Sequence, residues 1–162
     1  MVLFRTRLKK SVLKTMLTSV QFTPTSPLEA LPSYAFEVDG ATTQGRAVSE
    51  RLTNDPNLPG VLITQEGIPT AAISRFRFES FMKRAYSAEI YSKRPLTVLL
   101  ETLKAAVLSF PSTTSIKDAA LAAIGREDEL IFDPIVVQFS DGTRKLIDMK
   151  DLLRAALQAL SQ

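Results

Sequence analysis

Pro59-Gly60-Val61-Leu62-Ile63-Thr64-Gln65-Glu66-Gly67, followed by Ala71-Ala72-Ile73-Ser74 and a helix-like run, has a second version further along the chain. That version is Pro134-Ile135-Val136-Val137-Gln138-Phe139-Ser140-Asp141-Gly142, followed by Lys145-Leu146-Ile147-Asp148 and another helix-like run. The offset reads as 75 residues up to the glycine and 74 after it. Short apolar runs bounded by turn residues read as strands. A repeat of this size predicts two similar units, each with a hydrophobic face for the other to cover.

Outward from these stretches the two halves keep one order. In the first, Ala35 to Val38 reads as a strand ended by Asp39-Gly40. Arg46 to Leu52 reads as a helix that stops near Pro56, and Val61 to Thr64 and Thr70 to Ser74 as strands. Phe78, Phe81, Met82 and Ala85 then recur at helical spacing. In the second half, Ala106 to Phe110 reads as a strand. Ser115 can cap a helix whose inner face is Ile116, Ala119, Ala120, Ala123 and Ile124, with Gly125 at its end. Ile135 to Phe139 and Lys145 to Ile147 flank a turn, and Met149, Leu152, Leu153, Ala156, Leu157 and Leu160 form the closing helix. A β-α-β-β-α unit used twice predicts an α/β (α+β) fold with two small sheets, each covered by helices. The expected division is a basic arm and Pro-rich connector over 1–33, one unit over 34–100 and a second over 101–162.

Composition excludes several chemistries. The 162 residues contain neither cysteine nor histidine. Disulfides, thiolate and imidazole metal sites, and any histidine-based nucleophilic or general-base mechanism are therefore out. The six glycines are scattered at turns, so there is no phosphate-cradling loop. Glu127-Asp128-Glu129 reads as a solvated acidic loop, not a metal site. No apolar run approaches the roughly 18–20 residues of a membrane span. The net charge of +3 arises from the first 20 residues, where Arg5, Arg7, Lys9, Lys10 and Lys14 stand without an acid and give +5, against −2 for the rest. Leu13, Met16, Leu17 and Val20 in that arm repeat at helical spacing, which predicts a helix packed on its own domain or on a sister subunit. No aromatic residues interleave with the bases, so nucleic-acid binding is the minor reading.

Three stretches carry a resemblance to a known family. They are Asn54-Asp55-Pro56-Asn57-Leu58-Pro59-Gly60-Val61-Leu62, Ile73-Ser74-Arg75-Phe76-Arg77-Phe78, and Tyr86-Ser87-Ala88-Glu89-Ile90-Tyr91-Ser92-Lys93-Arg94-Pro95-Leu96. With the repeated unit they resemble the cystathionine-β-synthase (CBS) domain in tandem, the Bateman module. The likeness is to the divergent type that precedes catalytic regions in bacterial signalling proteins, and it spans residues 34–162.

The resemblance implies adenosine nucleotides bound in clefts between the units. A Thr or Ser at the end of the third strand and an Asp three residues later contact ribose and phosphate in that family. A carboxylate suits vicinal hydroxyls because it accepts two hydrogen bonds. Here Ser74 keeps the hydroxyl, but Arg77 replaces the acid and suits phosphate better than ribose. In the second unit Asp151 keeps the acid, while Asp148 replaces the hydroxyl and repels phosphate. Asp148 and Asp151 also fit a plain structural role as helix caps. Lys93 and Arg94, set near Tyr86, Tyr91 and Pro95 in the connector, are the remaining anion-contact candidates.

The expected function is thus a regulatory or sensory module without enzymatic activity. It would bind a small ligand such as an adenosine nucleotide, or a protein partner, and bias a signalling effector by a shift in packing. A cytoplasmic homodimer is expected, with Phe81, Met82 and Leu157 buried between units or subunits. The rival is a pure interaction and dimerisation module without a small ligand.

Overall fold

The computed structural model describes residues 21–84 and 86–161. The helix expected over Leu13 to Val20 lies outside the described residues, as do the whole basic arm and Ala85. The fold is mixed α+β, with two three-stranded sheets. Strands β1 (Glu37–Asp39), β2 (Gly60–Gln65) and β3 (Ile68–Ser74) form the first, and β4 (Ser109–Pro111), β5 (Ile135–Gln138) and β6 (Arg144–Ile147) the second. In each, the first strand runs parallel to the second and the second antiparallel to the third. Helices α1 (Gly45–Asn54) and α2 (Arg75–Lys83) belong to the first unit, and α5 (Ile116–Ile124) and α6 (Met149–Leu160) to the second. Between the units lie two short helices that the sequence reading missed, α3 (Ser87–Tyr91) and α4 (Leu96–Leu99).

The apolar strands are buried on both faces, which is why they read as continuous runs. Val61, Ile63, Ala71 and Ile73 face the helices of their own unit, with Val48, Leu52, Phe78 and Phe81. Between them, Leu62 and Ala72 point the other way and pack on Val136 and Leu146 of the second sheet. Ile135, Val137 and Ile147 close over α5 and α6 in turn. The two sheets therefore meet through every second residue of their central and last strands.

The equivalence of the units differs by one residue from the sequence reading. Leu62 N–H donates to Phe36 O at 2.9 Å, and Val136 N–H donates to Leu108 O at 2.9 Å. Leu62 thus corresponds to Val136, an offset of 74 before the turn as well as after it. The turns caused the slip. Glu66-Gly67 alone joins β2 to β3, with φ of 53° and 76°, a two-residue reversal of the type I′ kind. Residues 139–143 join β5 to β6, so Gly142 does not stand in the place of Gly67. At the start of β2, Gly60 is required by space: a Cβ there would lie 2.1 Å from Ile73 O.

Both first strands begin later than expected, for one reason. Ahead of β1, Tyr34 exchanges two backbone hydrogen bonds of 2.8 Å with Leu146 of the second unit. Ahead of β4, Ala106 O accepts from Ala72 N–H of the first unit at 3.1 Å. Each lead-in runs along the other unit's sheet before crossing to its own.

The exchange extends further back. Pro27-Leu28-Glu29-Ala30-Leu31 and Pro95-Leu96-Thr97-Val98-Leu99 are a second internal repeat. Leu28 and Leu31, with Phe22, are buried in the core of the second unit. Leu96 and Leu99 are buried in that of the first. Pro27 bridges to Ser115 and Pro95 to Gln44, just before α5 and α1 respectively. The Pro-rich stretch is without regular structure apart from a 3₁₀ turn at Leu28–Ala30, yet it covers a core.

Two burial expectations need correction. Phe81 is 3% exposed, but inside the core of its own unit, with its ring 5.0 Å from that of Tyr91 on α3. Met82 packs on the same cluster. Neither lies between units, because α3 and α4 fold back over α2 and supply the cover. Leu157 is 68% exposed on the single chain.

Candidate functional site

A cleft of about 840 Å³ lies where the ends of β3 and β6 meet the lead-in chain. It falls within the range for small-molecule sites, about 300–1,000 Å³. Both strands finish at helix N-caps. Ser74 Oγ accepts from Arg77 N–H at 3.1 Å, capping α2. Asp148 Oδ1 accepts from Lys150 N–H at 2.9 Å, capping α6. Such caps satisfy amides that the helix itself leaves open. They also fix Arg77 and Asp151 as the third residues of their helices.

Four of the six predicted site residues, Ser74, Arg77, Asp148 and Asp151, line this one cleft. Lys93 and Arg94 do not. Their carbonyls hold Gln44 Nε2 at 3.2 Å and Gly45 N–H at 3.2 Å, and their side chains are exposed on the stretch joining α3 to α4. Lys150 and Arg154, which the sequence reading did not single out, stand in the cleft wall. Among the described residues neither makes an ion pair or a side-chain hydrogen bond. The other two cleft arginines are committed. Arg75 donates to the carbonyls of Leu52, Asp55 and Leu58. Arg77 donates to the Asp133 carboxylate and to Lys104 O, with Glu129 3.9 Å away.

Asp151 is buried and makes no side-chain hydrogen bond among the described residues. Burial, then the Asp148 carboxylate, hold its carboxyl above the ordinary aspartate range, while Lys150 and Arg154 pull it back. Tyr34 is pushed up by its own burial, then by Asp151 and Asp148, so its phenol keeps its proton. The cleft thus offers an acceptor, a phenolic donor, two cations and two flat apolar surfaces. The last are Phe76 and Phe132, 78% and 70% exposed.

Lys150 and Arg154 were legible in principle, since four residues apart on a helix places them on one face. Asp133 carried no such signal. It is 1% exposed, and its partners Ser74 and Arg77 lie more than fifty residues away in sequence.

No protein-family model and no curated protein matches the chain. Solved structures do. A CBS domain-containing protein of unknown function from Kribbella flavida covers 80% of this chain over 98% of its own length, at 18% identity and a TM-score of 0.57. A CBS-domain containing protein from Agrobacterium tumefaciens covers 85% over 95% of its own length, at 14% identity and 0.55. The fold is that of a tandem CBS-domain pair.

A third similar structure is the CBS domain of a bacterial CNNM/CorC family Mg2+ transporter in complex with ATP. It covers 83% of this chain over 89% of its own length, at 8% identity and a TM-score of 0.55. In this chain the two corresponding helix starts are asymmetric. All four residues line the cleft, but Ser74 N–H and the Arg77 guanidinium bond to Asp133, whereas the Asp148 and Asp151 carboxylates have no arginine or lysine paired to them among the described residues. Among the described residues no helix is long and apolar enough to cross a membrane.

Proposed function

We propose that the chain is a regulatory CBS pair that binds an adenosine nucleotide in the cleft between its units and passes the resulting change in packing to an effector protein. The convergence of Asp148, Asp151, Lys150 and Arg154 on one cleft of ligand size carries this reading. Asp151 is the acceptor for the ribose hydroxyls, lying where the family's acid lies. Lys150 and Arg154 take the phosphate end, in place of Lys93 and Arg94. Phe76 and Phe132 offer their ring faces to the base. The ATP held by the transporter's CBS domain supports the ligand class.

The test is calorimetry with adenosine, AMP and ATP on three proteins. Asp151→Ala should weaken adenosine by about 1–3 kcal/mol, the scale for a lost charged hydrogen-bond partner. Arg154→Ala should weaken AMP and ATP more than adenosine. If wild type binds none of the three, or both variants bind as wild type does, the reading fails.

A second reading, an interaction module without a small ligand, draws on one observation. Phe132 and Leu157 are largely exposed and line a shallow apolar groove with Met149 and Leu153 on α6. A second copy of the chain seated there would form the homodimer, and would adjoin the cleft through Phe132, Lys150 and Arg154.

A further inference from the structure

The two halves of the interunit cleft are built from corresponding positions but are not in the same state. Ser74 corresponds to Asp148 and Arg77 to Asp151, each pair standing at the cap and third residue of its helix. By the offset that matches Leu62 to Val136, Pro59 corresponds to Asp133. By the one that matches Tyr34 to Ala106, Pro32 corresponds to Lys104. In the open half, Asp151, Pro59 and Pro32 all line the cleft. In the other half their counterparts have been drawn together. The Arg77 guanidinium bonds at once to the Asp133 carboxylate and to the Lys104 carbonyl. The second Asp133 oxygen accepts from Ser74 N–H at 2.9 Å. Asp133 and Lys104 do not line the cleft at all. Arg126 secures the segment from behind, donating to Ile131 O and to Asp133 O at 3.0 and 2.9 Å.

The chemistry of this closed half is that of a cation site. Asp133 is almost wholly buried, and an unpaired carboxylate there would be costly. A planar guanidinium suits the place because it can serve a carboxylate and a carbonyl together. Burial pushes the Asp133 carboxyl up, and the Ser74 amide and Arg77 partly offset this.

We propose that Arg77 occupies, from within the chain, the second of two equivalent ligand places, so that the protein accepts one ligand per chain and its closed half is a built guanidinium site. The single-ligand part rests on the cleft reading above. The guanidinium part does not.

Two measurements separate them. Arg77→Ala leaves the site vacant, so methylguanidinium chloride at millimolar concentration should raise the melting temperature of that variant. It should raise neither wild type nor the Arg77→Ala, Asp133→Asn double variant, because only a ligand that binds the folded site stabilises it. The same response in all three proteins, or none in Arg77→Ala, overturns the proposal. If Arg77→Ala does not fold alone, refolding with and without methylguanidinium decides: recovery only with the cation supports the site, and no recovery overturns it. Adenosine titrated into wild type should bind once per chain, and two per chain overturns the single-ligand part. Absence of adenosine binding overturns the proposed function instead, while the cation melts still decide whether the place is a guanidinium site.

Discussion

Arg144 Nε donates to Glu37 Oε1 at 2.7 Å, joining the start of β6 to β1 of the other unit. Since β6 leads into the cleft only beyond its far end, at Asp148, this pair fastens the units at the end remote from the cleft. Arg144 also donates to Gly67 O at 3.2 Å, so it reaches the β2–β3 turn as well. Both side chains are partly open to water, and such pairs contribute about 0–1 kcal/mol. Glu37→Ala should therefore lower stability to urea by less than about 1 kcal/mol. The loss should shrink as salt is raised. Arg144→Ala should cost more, because the turn carbonyl loses its donor too.

Gly60→Ala is expected to cost far more than its single methyl suggests. The added carbon meets a backbone carbonyl, which cannot swing aside as a side chain can. Overpacking typically costs about 1–3 kcal/mol, and a backbone clash belongs at or beyond the upper end. Urea melts showing less than about 1 kcal/mol would mean that β2 and β3 separate cheaply at this point.

The pH dependence of Asp151 follows from the direction of its shift. A carboxyl whose folded pKa is raised holds its proton more tightly when folded than when unfolded. Its contribution is favourable below the unfolded value, near 3.8, and is lost as pH rises through the folded one. Asp151→Asn removes that loss. The variant should melt above wild type at pH 7, and the advantage should vanish as pH falls below the ordinary aspartate range. Equal melting at pH 7 would mean that the buried charge carries no net cost.

Leu157 tests the subunit contact. The chain is expected to dimerise through the groove that Leu157 and Phe132 share, and Leu157→Glu should shift it to monomer, lowering its melting temperature only by what association contributes. Light scattering is the measurement. A wild-type monomer up to roughly 100 μM, where association near −5 to −6 kcal/mol begins to show, rules the dimer out.

Much of the architecture was legible because it is local. Ser115 caps α5 by accepting Asp118 N–H, and Ile116, Ala119, Ala120 and Ala123 form its buried face as their spacing indicated, while Ile124, expected beside them, is exposed at the helix end. The strands around the repeated turns stood out because both faces are covered. Ser74, Arg77, Asp148 and Asp151 were found through motif position alone, and the fold brought them to one cleft. What was hidden depends on chain crossing. Nothing near Asp133 announces Arg77 as its partner, and nothing near Tyr34 says that it pairs with Leu146. The covering role of Leu28 and Leu31 had a trace in the repeated Pro-Leu-x-x-Leu. It was obscured by the prolines around it, which suggest only connecting chain.

The exchange of lead-in segments makes the two units links of a closed chain, not neighbours across a joint. Loosening the first unit releases Leu96 and Leu99, which tether the start of the second. Loosening the second releases Leu28 and Leu31, which tether the start of the first. Neither half then has a state in which it alone is intact, so calorimetric melting should show one cooperative heat-absorption peak. A strain applied at one unit pulls directly on the covalent backbone of the other, and needs no hinge to arrive there.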